Sequence, residues 1–412
     1  MTGYRKPAST PWHASSACLA RFVSDLIAEE LRRLRPGRGA APSQPWSEDL
    51  FLDERGLGLD SLELLTVAAT LTEALHLHES GIEDQLLAQR RWGEWLQTVE
   101  HGLRMFDSVL TFRTSGSTGV PKPCSHLLAL LHQEIDHLET VFAGTERVLT
   151  AVPSHHIYGF LFTILLSVRL KCTEVIDVRR ATPQMLLQLL RRGDLLVSHP
   201  AHWAVLAQHV NVFPARVVGV TSGAPCAPEL AQALATAGIR RLVQVYGSTE
   251  TGGVGWRRCA DDSYELMPFW SRDLDAEGKI RRTLPDGSTQ SYPLQDALEW
   301  QTGRKFLVRG RLDDAVQVGG INVFPARVRQ TLLDHPQVAD AAVRLMNPIE
   351  GSRLKAFVVP TADASWPVLR AELERWVQSR LAAEERPRSF TAGSRLPMSD
   401  RSKLIDWPDT VE

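Results

Sequence analysis

Thr114-Ser115-Gly116-Ser117-Thr118-Gly119-Val120-Pro121-Lys122 gathers two glycines, four hydroxyl side chains and a lysine into nine positions. An apolar run, 109–112, alternates as a strand does just before it, and a long amphipathic pattern starting near Ser125 follows. Glycine tolerates positive φ and close backbone approach, while hydroxyls and free N–H groups donate to phosphate oxygens. The loop is therefore suited to wrap a phosphate chain. Walker spacing would place Gly-Lys-Ser/Thr after four free positions, whereas Lys122 is followed by Pro123, which argues against an ordinary P-loop NTPase. Taken alone, such a Gly/Ser/Thr run also makes a plain surface loop.

Downstream, strand-like runs at 148–152, 175–178, 195–197, 217–220 and 242–246 alternate with helical patterns. The helix around Met185 has Thr182 as N-cap and Pro183 at its first position, and the one from Pro228 is closed by Gly238. The alternation predicts a largely parallel sheet covered by helices, with its ligand site at the carboxyl ends of the strands. Motifs fall at those ends. In Tyr246-Gly247-Ser248-Thr249-Glu250-Thr251-Gly252-Gly253, a hydroxyl and a carboxylate stand side by side after a buried strand. Thr249 suits a phosphate oxygen and Glu250 suits Mg²⁺, a cation that takes oxygen ligands and bridges phosphates. In Pro153-Ser154-His155-His156, the two imidazoles point in opposite directions if the segment is extended, which disfavours a shared metal.

Together these strings resemble the adenylate-forming superfamily: acyl-CoA synthetases, aryl-CoA ligases and peptide-synthetase adenylation domains. The resemblance covers Ser108 to the C-terminus. It implies that Thr114, Ser115, Gly116, Ser117, Thr118, Gly119 and Lys122 hold ATP phosphates, that Ser222, Gly223 and Ala224 support the adenine and border the acyl pocket, and that Tyr246 and Gly247 also belong to the ATP/AMP site. It places His156 in the carboxylate pocket. Asp296 stands roughly where the family has a ribose-binding aspartate, although the usual Thr-Gly before it is missing. Arg311 resembles the ribose-contacting arginine and Asp313 the hinge of a mobile C-terminal domain. Lys403, in a lysine motif with Ser402 where glycine is usual, takes the catalytic role with Thr249, Glu250 and His156. When a carboxylate attacks the α-phosphate, two anions meet, so positive charge and positioning carry the catalysis and no protein nucleophile is required. A pantetheine thiol would then displace AMP.

Upstream, apolar residues at three- and four-residue intervals predict a helix over 17–34, ending in a Pro/Gly-rich segment, 35–45. A second helix begins at Asp60, with Glu63 completing a capping-box start. The Asp60-Ser61-Leu62 string in this helical setting resembles an acyl carrier protein, which implies phosphopantetheine on Ser61. The same residues also serve simply as a helix start.

Lysine plus arginine total 46 against 48 acidic residues, a net charge of −2 that suggests no nucleic-acid surface. The five cysteines are scattered and lack CxxC spacing, so neither a disulfide framework nor a zinc site is indicated. The first sixteen residues show no apolar leader and no run is long enough for a membrane span, so a soluble, cytoplasmic protein is expected. The expected architecture is α/β, with a helical, carrier-like domain at 1–105, an adenylation core with a shortened N-terminal part at 106–312 and a small mobile α+β domain at 313–412. The expected activity is that of an ATP- and Mg²⁺-dependent acid–thiol ligase acting on an aryl or acyl carboxylate, with CoA or a carrier protein as acceptor. The competing readings are an adenylating enzyme with a non-thiol acceptor, amide-forming or luciferase-like, and a degenerate non-catalytic scaffold. His156, Tyr158, Phe160 and Trp203 hint at a pocket that accepts aromatic acids.

Overall fold

The structure is a computed structural model and describes residues 11–35, 45–114, 122–214, 216–259, 261, 263–276, 278–312, 314–319, 321–347, 350–398 and 404–407. The chain divides into a larger unit, drawn from residues up to Arg309, and a smaller one built on the chain from Gly310 onward. The expected boundary lay three residues later.

In the larger unit, five parallel strands form one half of a nine-stranded sheet. They are β3 (Arg147–Thr150), β4 (Glu174–Asp177), β5 (Leu195–Ser198), β6 (Val218–Thr221) and β7 (Arg241–Ser248), in the spatial order β4-β3-β5-β6-β7. β3 and β5 are buried along their whole length, which explains the apolar residues at 148–149 and 195–197 inside them. Helices α5 (Leu128–Val141), α8 (Pro183–Leu189), α9 (Pro200–His209) and α10 (Pro228–Thr236) connect or cover them. The other half is antiparallel: β8 (Gly252–Arg258), β9 (Tyr264–Leu266), β13 (Asp296–Trp300) and β14 (Lys305–Arg311) extend the sheet beyond β7. The strands expected over 148–246 are thus parallel, and the antiparallel extension beyond β7 makes the whole sheet mixed. A separate three-stranded sheet holds β10 (Trp270–Arg272), β11 (Lys279–Thr283) and β12 (Thr289–Pro293). A two-stranded ribbon pairs β1 (Val109–Thr114) with β2 (Lys122–Leu127), so the helix expected near Ser125 begins only at Leu128.

The described part of 1–105 is not a separate carrier-like domain. Its helices α1 (Ser16–Leu34), α2 (Ser61–Leu75), α3 (Asp84–Ala88) and α4 (Trp92–Met105) share one hydrophobic core with the sheet. Trp12 and Phe22 meet Phe160 with ring centroids 5.2 and 5.3 Å apart, and Phe160 meets Phe112 at 5.5 Å. Buried Asp25 on α1 accepts hydrogen bonds from Ser154 N and Oγ, both 2.7 Å, and from Arg179 at 2.6 Å. Arg113 on β1 likewise ion-pairs with Glu30 of α1 and Glu73 of α2. The amphipathic stripe of a carrier helix and that of a docked core helix look alike in sequence, but only the second is buried against the rest of the chain. Ser61 is the exposed first residue of α2, where the Asp60–Glu63 capping box is fully formed.

The smaller unit pairs β15 (Val316–Val318) with β16 (Ile321–Val323), and β17 (Val338–Leu345) with β18 (Leu354–Pro360) and the parallel edge strand β19 (Ser389–Ala392). Helices α11 (Pro325–Leu333) and α12 (Trp366–Arg380) close its own core around Val328, Leu332, Leu369 and Leu373. No helix among the described residues is long and apolar enough to cross a membrane.

Candidate active site

Three segments leave the carboxyl ends of β3, β6 and β7: 151–156, 222–224 and the turn from Ser248 to Gly252. The last is the most constrained. Ser248 Oγ accepts from the N–H groups of Glu250 and Thr251 at 3.2 and 3.3 Å, and Thr251 Oγ1 accepts from Ser248 N at 3.2 Å. A Cβ on Gly247 would stand 2.1 Å from the Gly252 carbonyl oxygen, so only glycine allows β7 and β8 to close there.

The turn is held from behind by residues distant in sequence. His126 Nε2 donates to the Thr249 carbonyl at 2.6 Å, and Cys124 Sγ approaches the same oxygen at 3.4 Å. Both lie on β2, the strand that follows the Thr114–Lys122 sequence, so hydrogen bonds join that strand to the Ser248–Gly252 turn. Burial lowers the His126 pKa, which favours the neutral ring with its proton on Nε2. Gly253 N donates to Glu134 of α5 at 2.9 Å. Arg282 of β11 donates to the carbonyls of Thr251 (3.3 Å) and Leu130 (2.6 Å) and to Gln133 Oε1 (3.0 Å). Glu134 is fully buried and its pKa is pushed up to about 7, because burial outweighs the Gly253 N–H and the Arg282 charge. No spacing rule links His126, Glu134 and Arg282 to the motif; each is found only through the fold.

On the other side of β7, Ser222 Oγ donates to the Val245 carbonyl at 2.9 Å and Gln244 Nε2 to the Ala224 carbonyl at 2.7 Å. Gly223, between them, has a φ of 84°. The Tyr246 hydroxyl donates to Asp296 Oδ2 at 2.9 Å, so the structure brings Asp296 to the same motif although the Thr-Gly before it is absent. In the third segment, His155 is buried, neither ring nitrogen has a hydrogen bond to a described residue, and burial drives its pKa well below the usual value. His156 is exposed and begins a short helix, α6 (Ile157–Gly159), which continues through π-helical Phe160–Leu165 into α7 (Leu166–Arg169). Tyr158 donates to the Ser198 carbonyl at 2.9 Å. Phe160 and Trp203 are fully buried core residues, so they do not form the aromatic pocket that the sequence hinted at.

Thr114 ends β1 and Lys122 starts β2 as an exposed residue. Ser115, Gly116, Ser117, Thr118, Gly119, Asp313 and Lys403 lie outside the described residues. Arg311 belongs to the smaller unit.

Among the described residues no group of three or more His, Cys, Asp or Glu could hold a metal. Glu250, half-buried in its turn, takes no hydrogen bond or ion pair through its carboxylate from a described residue. One such carboxylate fits Mg²⁺, which completes its octahedron mainly with water and substrate phosphates, and does not fit a resident all-protein site.

The profile of the AMP-binding enzyme family matches residues 60–278, and that of the AMP-binding enzyme C-terminal domain matches 328–403. A 4-coumarate–CoA ligase of Halorhodospira halophila is 37% identical over 93% of this chain and 97% of its own length. The 4-coumarate–CoA ligase of Rhodobacter capsulatus is also 37% identical, over 94% and 99%. Among solved structures, an o-succinylbenzoate CoA synthetase from Bacillus subtilis superposes with a TM-score of 0.62, covering 96% of this chain and 97% of its own at 18% identity.

Proposed function

The chain belongs to the AMP-binding enzyme family, and from that premise we propose that it converts 4-coumarate or a closely related aryl acid to its CoA thioester. The observation that carries this reading is identity to 4-coumarate–CoA ligases along nearly the whole of both chains, rather than at isolated motifs.

In the first step a carboxylate oxygen of the acid attacks the α-phosphorus of ATP, and the bond to the departing pyrophosphate breaks. In the second the CoA sulfur, having lost its proton, attacks the acyl carbon of the adenylate and AMP leaves. The side chains and N–H groups from Thr114 to Lys122 hold the β- and γ-phosphates, and Thr249 donates to the α-phosphate. The Tyr246–Asp296 pair supports this placement, because an aromatic ring and a carboxylate side by side suit a base and the two hydroxyls of its ribose. Ser222, Gly223 and Ala224 border the base, and His156 lies beside the acid. Mg²⁺, held by Glu250 and the phosphates, would supply charge neutralisation. Lys403 offsets the charge that develops between the two anions, and the Asp313 hinge lets the smaller unit change place between the steps. CoA is the acceptor. A carrier role for Ser61 loses its main support once α2 is part of the core. A cytosolic location fits the proposed substrates ATP and CoA.

Incubation with ATP, Mg²⁺, CoA and a panel of aryl and alkyl acids tests this by mass spectrometry of the products. The expected product is 4-coumaroyl-CoA plus AMP. Adenylate formation with no thioester, but with amides when amines are added, would overturn the acceptor. No carboxylate-dependent ATP–pyrophosphate exchange with any acid would overturn the enzyme.

A further inference from the structure

At the opposite ends of the strands from the Ser248–Gly252 turn, the starts of β3, β5, β6 and β7 and the end of β8 surround a cleft of about 910 Å³. Its charged lining consists of Arg192, Arg216, Arg240, Arg241 and Arg258 with a single carboxylate, Glu146. This volume matches that of small-ligand pockets, but such pockets are mostly apolar with a few polar groups, and here the positive charge dominates.

None of the five arginines forms an ion pair with a carboxylate among the described residues, in a chain where arginines elsewhere pair freely, as Arg147 does next door with Asp194 and Glu174. Arg241 is partly buried, donates to the Val141 carbonyl and lies 5.7 Å from the Phe142 ring centroid. Its pKa is lowered by burial and then by the charges of Arg258 and Arg240, so two neighbouring guanidinium groups act on it in the cleft. Arg216 is held at a φ of 66°, a left-handed conformation that non-glycine residues rarely adopt.

We propose that this cleft is a second anion site, distinct from the nucleotide site, which binds a small, multiply charged phosphate compound. Guanidinium forks match phosphate oxygens in pairs, and several converging on one concavity favour a compact polyanion. An extended polyanion is disfavoured, because a net charge of −2 leaves no broad basic surface to hold one.

Isothermal titration of the full-length protein with inorganic tripolyphosphate tests the proposal, using wild type, the double variant R240A/R258A, the single variant R216G and a control, R375A/R380A, on α12. Glycine accommodates the Arg216 backbone, so R216G removes charge while keeping the fold. The expected result is at least one salt-sensitive equivalent bound by wild type and control. It should be weakened about tenfold or more in R240A/R258A and measurably in R216G, with unchanged melting temperatures. No binding beyond what R240A/R258A retains, or equal losses in the control, would overturn the proposal. Tighter binding of a DNA duplex or an anionic vesicle, lost in the same variants, would overturn the small-ligand assignment.

Discussion

Glu134 reaches the turn that carries Thr249 and Glu250 from a helix 119 residues upstream of Gly253, and it does so as a buried acid whose folded pKa is about 7. In the unfolded chain the same carboxyl ionises near 4.5. Between these values the folded protein holds a proton that the unfolded chain has lost. The stability contributed by this group is therefore complete below about pH 4.5 and is lost as pH rises through 7, by up to about 3 kcal/mol. Glu134→Gln keeps an acceptor for Gly253 N and abolishes the titration, so its urea-unfolding stability should fall less than that of wild type between pH 5 and 8. Parallel curves for the two proteins would refute the assignment. At the same scale, Asp296→Ala removes the Tyr246 partner and, if Asp296 takes the ribose hydroxyls, raises KM for ATP about tenfold or more with a smaller effect on KM for the acid. Equal changes in both constants would argue for a general loss of structure instead.

Among elements, α1 is the one whose position matters most. Asp25 fastens it to the segment that carries His155 and His156, and Trp12 and Phe22 fill space beside Phe160. Asp25→Ala leaves Arg179 and two Ser154 donors without their shared partner and should cost about 3 kcal/mol, read as a lower unfolding midpoint. A truncated chain starting at residue 106 should fail to give a cooperative melt, whereas an independent carrier-like domain would leave that fragment folded. The misreading of this region has a physical origin. Asp60 and Glu63 form a real capping box, and a capping box reports only that a helix starts, not what the helix packs against. β3, β5, β6 and β7 were legible because burial leaves short apolar runs inside them, whereas β4, exposed at Glu174 and Asp177, showed only through Val175 and Ile176. β8, which opens with two glycines, and β13, which alternates partly buried with exposed residues, carry no such signal. The motif residues Thr249, Glu250 and Asp296 could be found from local strings. The contacts that hold the Thr249 turn, from His126 and Arg282, depend on pairings across more than a hundred residues of the Thr249 side and about thirty of the Thr251 side, which no spacing encodes.

The chain forms two compact units, each with hydrophobic clusters of its own among the described residues, and this has a measurable consequence for the lysine motif around residue 403. In the smaller unit, Lys355 is completely buried, donates to Glu350 and to the Trp407 carbonyl at 2.7 Å, and lies 2.9 Å from Asp406. Burial works against its charge, but these two carboxylates more than compensate and its pKa is raised. Trp407 packs on Phe357 at 5.7 Å, Met398 pairs with Leu404, and Ile405 N donates to the Pro397 carbonyl. The residues on both sides of 399–403 are thus anchored to the core of the smaller unit. Two cores predict two calorimetric transitions, since multidomain chains depart from a single two-state melt. Lys355→Met should lower only the transition of the smaller unit, by about 5 °C or more, and should weaken adenylate formation by loosening the segment that ends in Lys403. Lys403→Ala should leave both transitions in place and reduce carboxylate-dependent pyrophosphate exchange about a hundredfold or more. If Lys355→Met shifts the smaller transition yet leaves exchange at the wild-type rate, the anchoring of residues 404–407 does not position the lysine. If one transition moves as a whole, the two cores unfold together.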